Sequence, residues 1–557
     1  MKRAVPALII VIALGARISP QDQGRPFESI LPESPFLLVR TVNLGDCLES
    51  VRLVINRLLS DGDRARVTEE ITIIERRTGI NLLDENSLKK AGIDPARRAA
   101  LAYYSGMQER GERIALLIPV LDAKSFQLGF PEILKKASGR PDADMYPVIS
   151  SYRSRSVHQI GKDIFTSAVD GYFIVASEGG LLQNIIDTAE DGAGSLALDP
   201  AYRDYLQKKK EDSDVDIYMK REFLAETAKK FLELISGAPQ EKNGPQNGDG
   251  GEKSGKENSD GREPGRGNDP DRDGVEGWFS SVNYAAVGVS VRKGKLMVNA
   301  GVDLDRSVGR TADLLESIKS GVIGGALYNA DANTLLVLGL DLGRFESFCA
   351  GDGALCAYYS GIKKKIMSDY AIDISVDIVP SSAGIVCFFM GSDSYPTLNS
   401  SSVVYFPLRD SGAIAEKTAS RLASLGKKDD VWGETLIKGS KGFWYVGPSD
   451  RKSYLVFDKR GLFMGNNTDL IGVCIGSGTL SSMMKGSPIV ARIDGDTFLF
   501  GLIKKNSFLK TMLMMQSGKP GKGMNFFQKI GDIGVSGKRK DGYVSFLLDV
   551  DILHREK

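Results

Sequence analysis

The chain predicts an α+β protein: two tandem copies of a module built from mostly antiparallel sheet, in β-hairpins, with helices packed on it. Three observations carry this. Ile118-Pro119-Val120-Leu121-Asp122 recurs as Phe406-Pro407-Leu408-Arg409-Asp410, and the runs that follow end at Leu134 and Leu422, all at a spacing of 288 (407−119, 410−122, 422−134). Such self-similarity decides the architecture before any local pattern does. Further anchors keep the same order. Leu37-Leu38-Val39 matches Leu335-Leu336-Val337 at 298, Gly171/Phe173 matches Gly461/Phe463 at 290, Ser236-Gly237 matches Ser517-Gly518 at 281, and Gly288-Val289-Ser290 matches Gly534-Val535-Ser536 at 246. Lastly, Asp170-Gly171, Lys293-Gly294 and Asp541-Gly542 sit between β-rich runs, where such dipeptides turn hairpins.

The elements of the first copy follow in order. Pro35 to Val42 is apolar and β-branched, a strand, and Asp46-x-x-Glu49 behind it has capping-box spacing. Leu48, Val51, Val54, Ile55, Leu58 and Leu59 recur at helical spacing. A second amphipathic run, Val67, Ile71 and Ile74, stops at Gly79. Strands are expected over Arg98 to Tyr104 and Arg113 to Leu121, then a helix capped by Asp122 and reaching Lys136. After a polar stretch, Asp163 to Ala168 and Tyr172 to Ala176 form a hairpin, and Leu181, Leu182, Ile185 and Ile186 a helix. Phe223, Leu224, Ala228, Phe231, Leu232 and Ile235 mark another helix before a closing hairpin from Val282 to Leu304. Hairpins alternating with single helices place the helices on one face of the sheet.

The resulting organisation is a leader over 1–16, a first module over 30–310 and a second over 318–557. Within the first, residues 237–276 carry Gly, Pro and charged side chains with almost nothing apolar, which predicts a disordered insertion in a helix-to-strand loop. The pentapeptide Ala102-Tyr103-Tyr104-Ser105-Gly106 recurs as Ala357-Tyr358-Tyr359-Ser360-Gly361, but at 255 it is out of step with its neighbours and reads as an accident.

Composition bounds the function. With 557 residues and 42% hydrophobic content the chain can bury large cores, and a net charge of +1 implies no general attraction to nucleic acid or anionic membrane. Lys2 and Arg3 precede an apolar run from Ala4 to Leu14 and then Gly15-Ala16, the pattern of a secretory signal. No other run is long enough for a transmembrane helix, so a mature chain without a membrane span, periplasmic or secreted, is expected. The cysteines, Cys47, Cys349, Cys356, Cys387 and Cys474, are odd in number and irregular in spacing. Only Cys349 and Cys356 lie close enough in sequence for a short-loop bridge in an oxidising compartment.

The chemistry-bearing residues point to no catalytic, cofactor or metal site. His158 and His554 are the only histidines, too few for a His-based triad or zinc site. Gly250-x4-Gly255-Lys256 resembles a phosphate loop, but Glu257 follows it and no strand precedes it. Asp303/Asp305 and Asp549/Asp551 would each project from one strand face, with too few oxygens around them for Ca²⁺. Gly472, Gly476 and Gly478 around Cys474 read as a loop. Met483-Met484 and Met512 to Met515 form soft apolar patches, more often core than a lipid surface.

Two passages resemble a family. They are Thr78-Gly79-Ile80-Asn81-Leu82-Leu83-Asp84 running on to Asp94-Pro95, and Asp170-Gly171-Tyr172-Phe173-Ile174-Val175-Ala176-Ser177 followed by Ser195-Leu196 and Asp199-Pro200-x-Tyr202. They are similar to exported bacterial proteins grouped as a domain of unknown function. The resemblance implies export and tandem organisation and transfers no catalytic residue. The expected role is a non-enzymatic binding or scaffolding protein of the bacterial cell envelope, with an unknown envelope protein or a hydrophobic ligand as partner. The alternatives are a carrier of lipid or another hydrophobic ligand, marked by a deep apolar pocket, and a hydrolase using carboxylates or a Ser-Lys pair, marked by titratable groups converging in one cleft.

Overall fold

A computed structural model describes residues 25–59, 61–104, 113–138, 146–209, 213–227, 281–292, 294–307, 309–328, 332–350, 354–391, 401–424, 431–446, 452–483, 493–505 and 530–552. The leader, the charged insertion, the phosphate-loop lookalike, Met484, Met512 to Met515 and His554 lie outside these residues.

The first half contributes β1 (Leu37–Thr41), β2 (Ala100–Tyr104), β3 (Arg113–Pro119), β4 (Val148–Tyr152), β5 (Arg155–Ile160), β6 (Ile164–Val169), β7 (Tyr172–Ala176), β8 (Val215–Lys220), β9 (Val282–Arg292) and β10 (Lys295–Leu304). All pair antiparallel, in the spatial order β4-β5-β6-β7-β3-β2-β1-β8-β9-β10. The second half contributes β11 (Leu327–Tyr328), β12 (Thr334–Gly339), β13 (Ile385–Met390), β14 (Ser402–Pro407), β15 (Trp432–Ile437), β16 (Ser440–Val446), β17 (Lys452–Asp458), β18 (Gly461–Gly465), β19 (Gly478–Thr479), β20 (Thr497–Ile503), β21 (Ile530–Lys540) and β22 (Tyr543–Ile552). Apart from the β11–β19 ribbon, these run β15-β16-β17-β18-β14-β13-β12-β20-β21-β22. The two halves thus share one strand order. β10 then pairs with β22, joining them into one 20-stranded sheet.

The turns form where the dipeptides demand. Asp170 and Gly171 take φ of 49° and 81°, and Asp541 and Gly542 take 47° and 83°, positive at both central positions as the tightest hairpins require. Gly79, at φ 75°, ends helix Asp61–Thr78. Asp122 accepts the backbone N–H of Lys124 and Ser125 at 3.1 and 3.2 Å to start helix Ala123–Ser138, and Asp410 accepts that of Ala413 at 3.1 Å to start helix Ser411–Ser424.

Several expectations are corrected. Helices cover both faces of the sheet, because strands buried on both sides leave no polar face to expose. On one face of β3 and β7, Ala115, Leu117 and Ile174 meet Leu181, Leu182, Ile185 and Ile186 of helix Gly179–Asp191. On the other, Leu116, Ile118 and Phe173 meet Phe126 and Phe130 of helix Ala123–Ser138. The fully buried Phe173 ring lies 4.6 Å from that of Phe130 and 5.0 Å from that of Phe126, burial worth roughly 1.5–3 kcal/mol for one such side chain. The cap of helix Leu44–Arg57 is Asn43, which accepts from Gly45 and Asp46 at 2.9 and 3.4 Å, not the Asp46-x-x-Glu49 box, so the chain turns helical three residues earlier. The polar stretch before Asp163, to which the sequence reading assigned no element, forms the hairpin β4–β5, an edge ribbon whose Val148 and Ile149 stay exposed. Gly472 and Cys474 belong to helix Thr468–Ile475, where the thiol is buried and Gly472 packs under Lys438 and Ile437.

The register between halves also differs from the apolar-triplet match. Arg40 pairs with Asp216, which pairs with Gly288. Leu335 pairs with Leu502, which pairs with Gly534. The turn glycines Gly294 and Gly542 are 248 apart (542−294), which sets Gly288 against Ser536; Val337, paired through Phe500 to Ser536, therefore occupies the place of Arg40, and Leu335 that of Leu38 rather than of Leu37. Short apolar triplets slide easily, whereas the closing hairpins hold a long, turn-anchored register.

Candidate functional site

Helix Pro200–Lys208 builds one wall of a cleft beside the seam. Asp199 caps it, accepting from Ala201 and Tyr202 at 2.9 and 3.3 Å, and Pro200 suits the first turn, where no N–H is needed. Helical spacing turns Tyr202 and Tyr205 onto the sheet, where they pack with Tyr218 of β8 and Tyr284 of β9 at ring separations of 5.3 to 6.2 Å. Tyr543, from the far half of the chain, joins them 6.3 Å from Tyr284. A Cβ on Gly301 would collide with the Tyr543 ring, so this glycine is what lets the ring cross β10.

Beneath the tyrosines lies a buried charge cluster. Arg40 donates to Asp216 Oδ2 and to Glu28 Oε1, each at 3.1 Å, and to the Tyr202 hydroxyl at 2.9 Å. Lys209 Nζ reaches the same Asp216 Oδ2 at 2.5 Å. Burial disfavours the Arg40 charge, yet Tyr202, Asp216, Tyr205 and Glu28 outweigh it and hold the guanidinium pKa above its ordinary value. Asp216 is 1% exposed, and its Oδ1 has no hydrogen-bond partner among the described residues. An orphaned acceptor of this kind costs about 1–3 kcal/mol.

That carboxylate lines a cleft of about 270 Å³ spanning the seam. Tyr205, Lys208, Lys209 and Ser213 come from the first half, and Lys538, Lys540, Tyr543 and Ser545 from the second, with Asn299 of β10 between them. Lys208 is half-tied: burial pulls its pKa down, but hydrogen bonds to Asp204 at 2.7 Å and Asp303 at 2.6 Å raise it overall. Burial pushes the Tyr543 hydroxyl up to about 12, with Asp303, Asp204 and Asp216 adding to the effect, so it stays protonated.

The second half has no such cluster at the same place. Val337 and Phe500, both fully buried, stand where Arg40 and Asp216 stand. The fold is satisfied there by packing alone. No sequence pattern marked this site, because its members come from β1, β8, β9, β10, β22 and one helix. The sequence marks Tyr202 and Asp199 through the family resemblance, Gly288 as a repeat anchor, Asp303 as a paired carboxylate and Asp541 in a hairpin turn, none of them as members of a cleft.

The residues weighed from sequence fall elsewhere. Asp303 is buried and held by Lys208 and by Asn283 at 2.9 Å, while Asp305 lies past the end of β10 and caps Ser307, so this pair does not converge. Asp549 and Asp551 do share a face, but Lys295 Nζ sits between them at 3.4 and 3.2 Å. His158 is buried in β5, its Nε2 3.0 Å from Ser156 Oγ, and burial lowers its pKa. None of the five cysteines is in a disulfide, so Cys349 and Cys356 are not bridged; Cys356 Sγ instead lies 3.9 Å from the Phe348 carbonyl.

Among the described residues Lys363 and Lys220 each contact a serine, and a carboxylate claims each lysine. Lys363 reaches Ser375 Oγ but also Glu346 at 2.7 Å, and Ser375 Oγ donates to Glu346 at 2.6 Å. Burial would raise the Glu346 pKa, but Lys363, Ser375 and Tyr359 together lower it, which makes it a poor base. Lys220 reaches Ser34 at 2.9 Å and Asp199 at 2.7 Å.

No helix of the described residues is long and apolar enough to cross a membrane. No family model matches the chain, and no curated protein matches it. Among solved structures it is similar to crystal form III of TP0453, at 10% identity over 55% of this chain and 90% of that one, with a TM-score of 0.25. Crystal form I of the same protein aligns at 8% identity over 51% and 79%, with a TM-score of 0.24. A likeness this slight leaves the function to be argued from the chain's own geometry.

Proposed function

We propose that this protein is exported and acts without catalysis, binding a partner in, or scaffolding, the bacterial cell envelope, with the seam cleft as its recognition site. The observation that carries the reading is the asymmetry between the halves. Replacing a buried ion pair by well-packed apolar residues is often neutral or stabilising. The second half makes that choice with Val337 and Phe500, while the first keeps Arg40 and Asp216, the latter with a buried oxygen that has no hydrogen-bond partner among the described residues. Polarity that the fold does without elsewhere fits recognition better than stability. The charged-then-apolar segment ending near Ala16 supports export.

Fractionating cells that express the full chain tests the reading. Recovery from the periplasm or medium, shortened near Ala16, is the expected result, and full-length protein confined to the cytoplasm overturns it. A carboxylate-dependent hydrolase is the second reading, favoured by the gathering of Asp204, Asp216 and Lys208 around one cleft. Against it, Asp204 and Asp216 are each bound to a lysine or arginine. The lipid-carrier reading lacks support in the first half, where side chains fill the space between helix Gly179–Asp191 and the sheet.

A further inference from the structure

We propose that β4 is a docking edge for a second copy of this chain, the two β4 strands pairing antiparallel about a two-fold axis at Ser150. β4 and β15 are the outer strands of the large sheet, and among the described residues β5 alone pairs with β4. Sheet edges are commonly guarded by a charge, a proline or a bulge. Val148-Ile149-Ser150-Ser151-Tyr152 has none of these: no residue is charged or proline, and the register with β5 is unbroken. The strand is open on both faces, with Val148 67% exposed on one and Ile149 62% exposed on the other.

The backbone sets the register. Arg153 and Ser154 take φ of 45° and 66°, the tight two-residue turn whose flanking pair, Tyr152 and Arg155, is hydrogen-bonded. Bonded and non-bonded pairs alternate along an antiparallel ladder. Ile149 and Ser151, opposite His158 and Ser156, are therefore the residues whose N–H and C=O groups face outward. The carbonyls across from them agree: those of Ser156 and His158 accept from Ser167 and Thr166 of β6 at 2.9 and 3.4 Å, away from β4. With Ser150 opposite Ser150, Ile149 of each copy meets Ser151 of the other, and the outward groups of both residues are paired. Sliding one way sets Ser151 against Pro147, which has no N–H, and sliding the other way sets Ile149 against the turn residue Arg153.

So short an edge selects its occupant. Two outward residues make few hydrogen bonds, and a free peptide loses about 1–2 kcal/mol of backbone freedom per residue on becoming a strand. A second copy brings its strand already ordered, as β10 and β22 do at the seam. β15 is excluded by a charge. Its turn, Lys438-Gly439 at φ 46° and 81°, leaves Trp432, Glu434 and Leu436 facing outward, so any pairing with Ile149 and Ser151 uses Glu434. That exposed carboxylate would meet no cation on β4.

Sedimentation equilibrium on the intact chain, across about 1–300 μM, is expected to show a dimer dissociating on the order of 10–100 μM, as so small a contact implies. Ile149→Lys, at an exposed position, should keep the thermal melt and weaken the dimer at least about tenfold, while Leu436→Lys on β15 should leave it unchanged. In a chain with Cys349→Ser, Ser150→Cys should form an interchain disulfide on mild oxidation and Ser151→Cys should not. Only Ser150 meets itself, at the ~4.5 Å Cα separation of a non-hydrogen-bonded pair. A monomer throughout, assembly beyond the dimer, a dimer indifferent to Ile149→Lys, or equal crosslinking of the two cysteine variants overturns the proposal. The edge lies at the opposite end of the first half's strands from the seam, so its failure leaves the reading of the cleft standing.

Discussion

Asn299 faces Leu547 across the pairing of β10 with β22, and the two stand 248 positions apart (547−299), the offset that also relates the turn glycines Gly294 and Gly542. A cross-strand pair that maps onto itself when the halves are exchanged lies on a local two-fold axis. The same exchange turns the Asp303–Tyr543 pair into the Lys295–Asp551 pair, and both are present in the ladder. Each half ends in a long hairpin with an unpaired outer strand, and joining the two removes both edges at once. The seam is therefore the self-complementary contact of a dimer, made within one chain, and the cleft exists because the seam brings Asn299 and Tyr543 together.

The seam should make unfolding cooperative across both halves. Leu548 lies in mid-strand, paired with Val298 on one side and Val535 on the other. Leu548→Pro removes a ladder donor in a central strand and should cost about 3 kcal/mol or more. In urea, the native chain is expected to lose its structure in one transition and the variant in two. A variant curve that stays single and unshifted would contradict this account of the seam.

Arg40 should be costly to remove alone and cheap to replace together with its partner. Arg40→Ala leaves Asp216 to Lys209 and Glu28 to Arg98 in a dry site, for a loss of up to about 3–5 kcal/mol. Arg40→Val with Asp216→Phe installs the second half's residues, Val337 and Phe500, and should recover much of that loss. Equilibrium denaturation checks both. A double variant less stable than Arg40→Ala would show that the cluster is structural after all, and would remove the argument from asymmetry.

Acid should loosen the wall of the cleft through Asp199. Burial would raise its pKa, but Lys220 at 2.7 Å and the N–H groups of Tyr202 and Ala201 lower it below the ordinary carboxylate value. A depressed folded pKa means that the stabilisation is complete above the unfolded value, near pH 4, and is lost as pH falls through the folded one. Asp199→Asn keeps a capping oxygen without the charge. It should lose about 1–2 kcal/mol at pH 7 and show a flatter decline below about pH 4. Thermal melts of both proteins between neutral and strongly acid pH decide the point.

Ser375 should be inert. Lys363 is bound to Glu346, and the serine hydroxyl donates to that same carboxylate, so no free base is available to it. A fluorophosphonate probe should leave Ser375 unlabelled, while Glu346→Ala lowers stability by about 1.5–3 kcal/mol through lost charged hydrogen bonds. Labelling of Ser375 in the native chain would revive the hydrolase reading.

Local chemistry was legible wherever a residue's own backbone preference sufficed. Asp170-Gly171 and Asp541-Gly542 turn their hairpins, Gly79 stops its helix, and Asp122 and Asp410 cap theirs. The β4–β5 hairpin was not legible, because an edge ribbon half in water needs no apolar alternation. The Asn43 cap was missed because Asp46-x-x-Glu49 offered an equally plausible pattern three residues later.

By itself the sequence determined the α+β class, the turns and caps, and an order of anchors that recurs from one half to the other, since all of these rest on short-range preferences. Only the tertiary structure decided that Ala102-Tyr103-Tyr104 is strand while Ala357-Tyr358-Tyr359 is helix. It alone paired β10 with β22, set Leu335 opposite Leu502 rather than in step with Leu37, and gathered Arg40, Asp216, Asn299 and Tyr543 around one cleft. The physical reason is common to all four. Each depends on which strand lies alongside, a contact between residues tens to hundreds of positions apart that carries no mark in the local pattern.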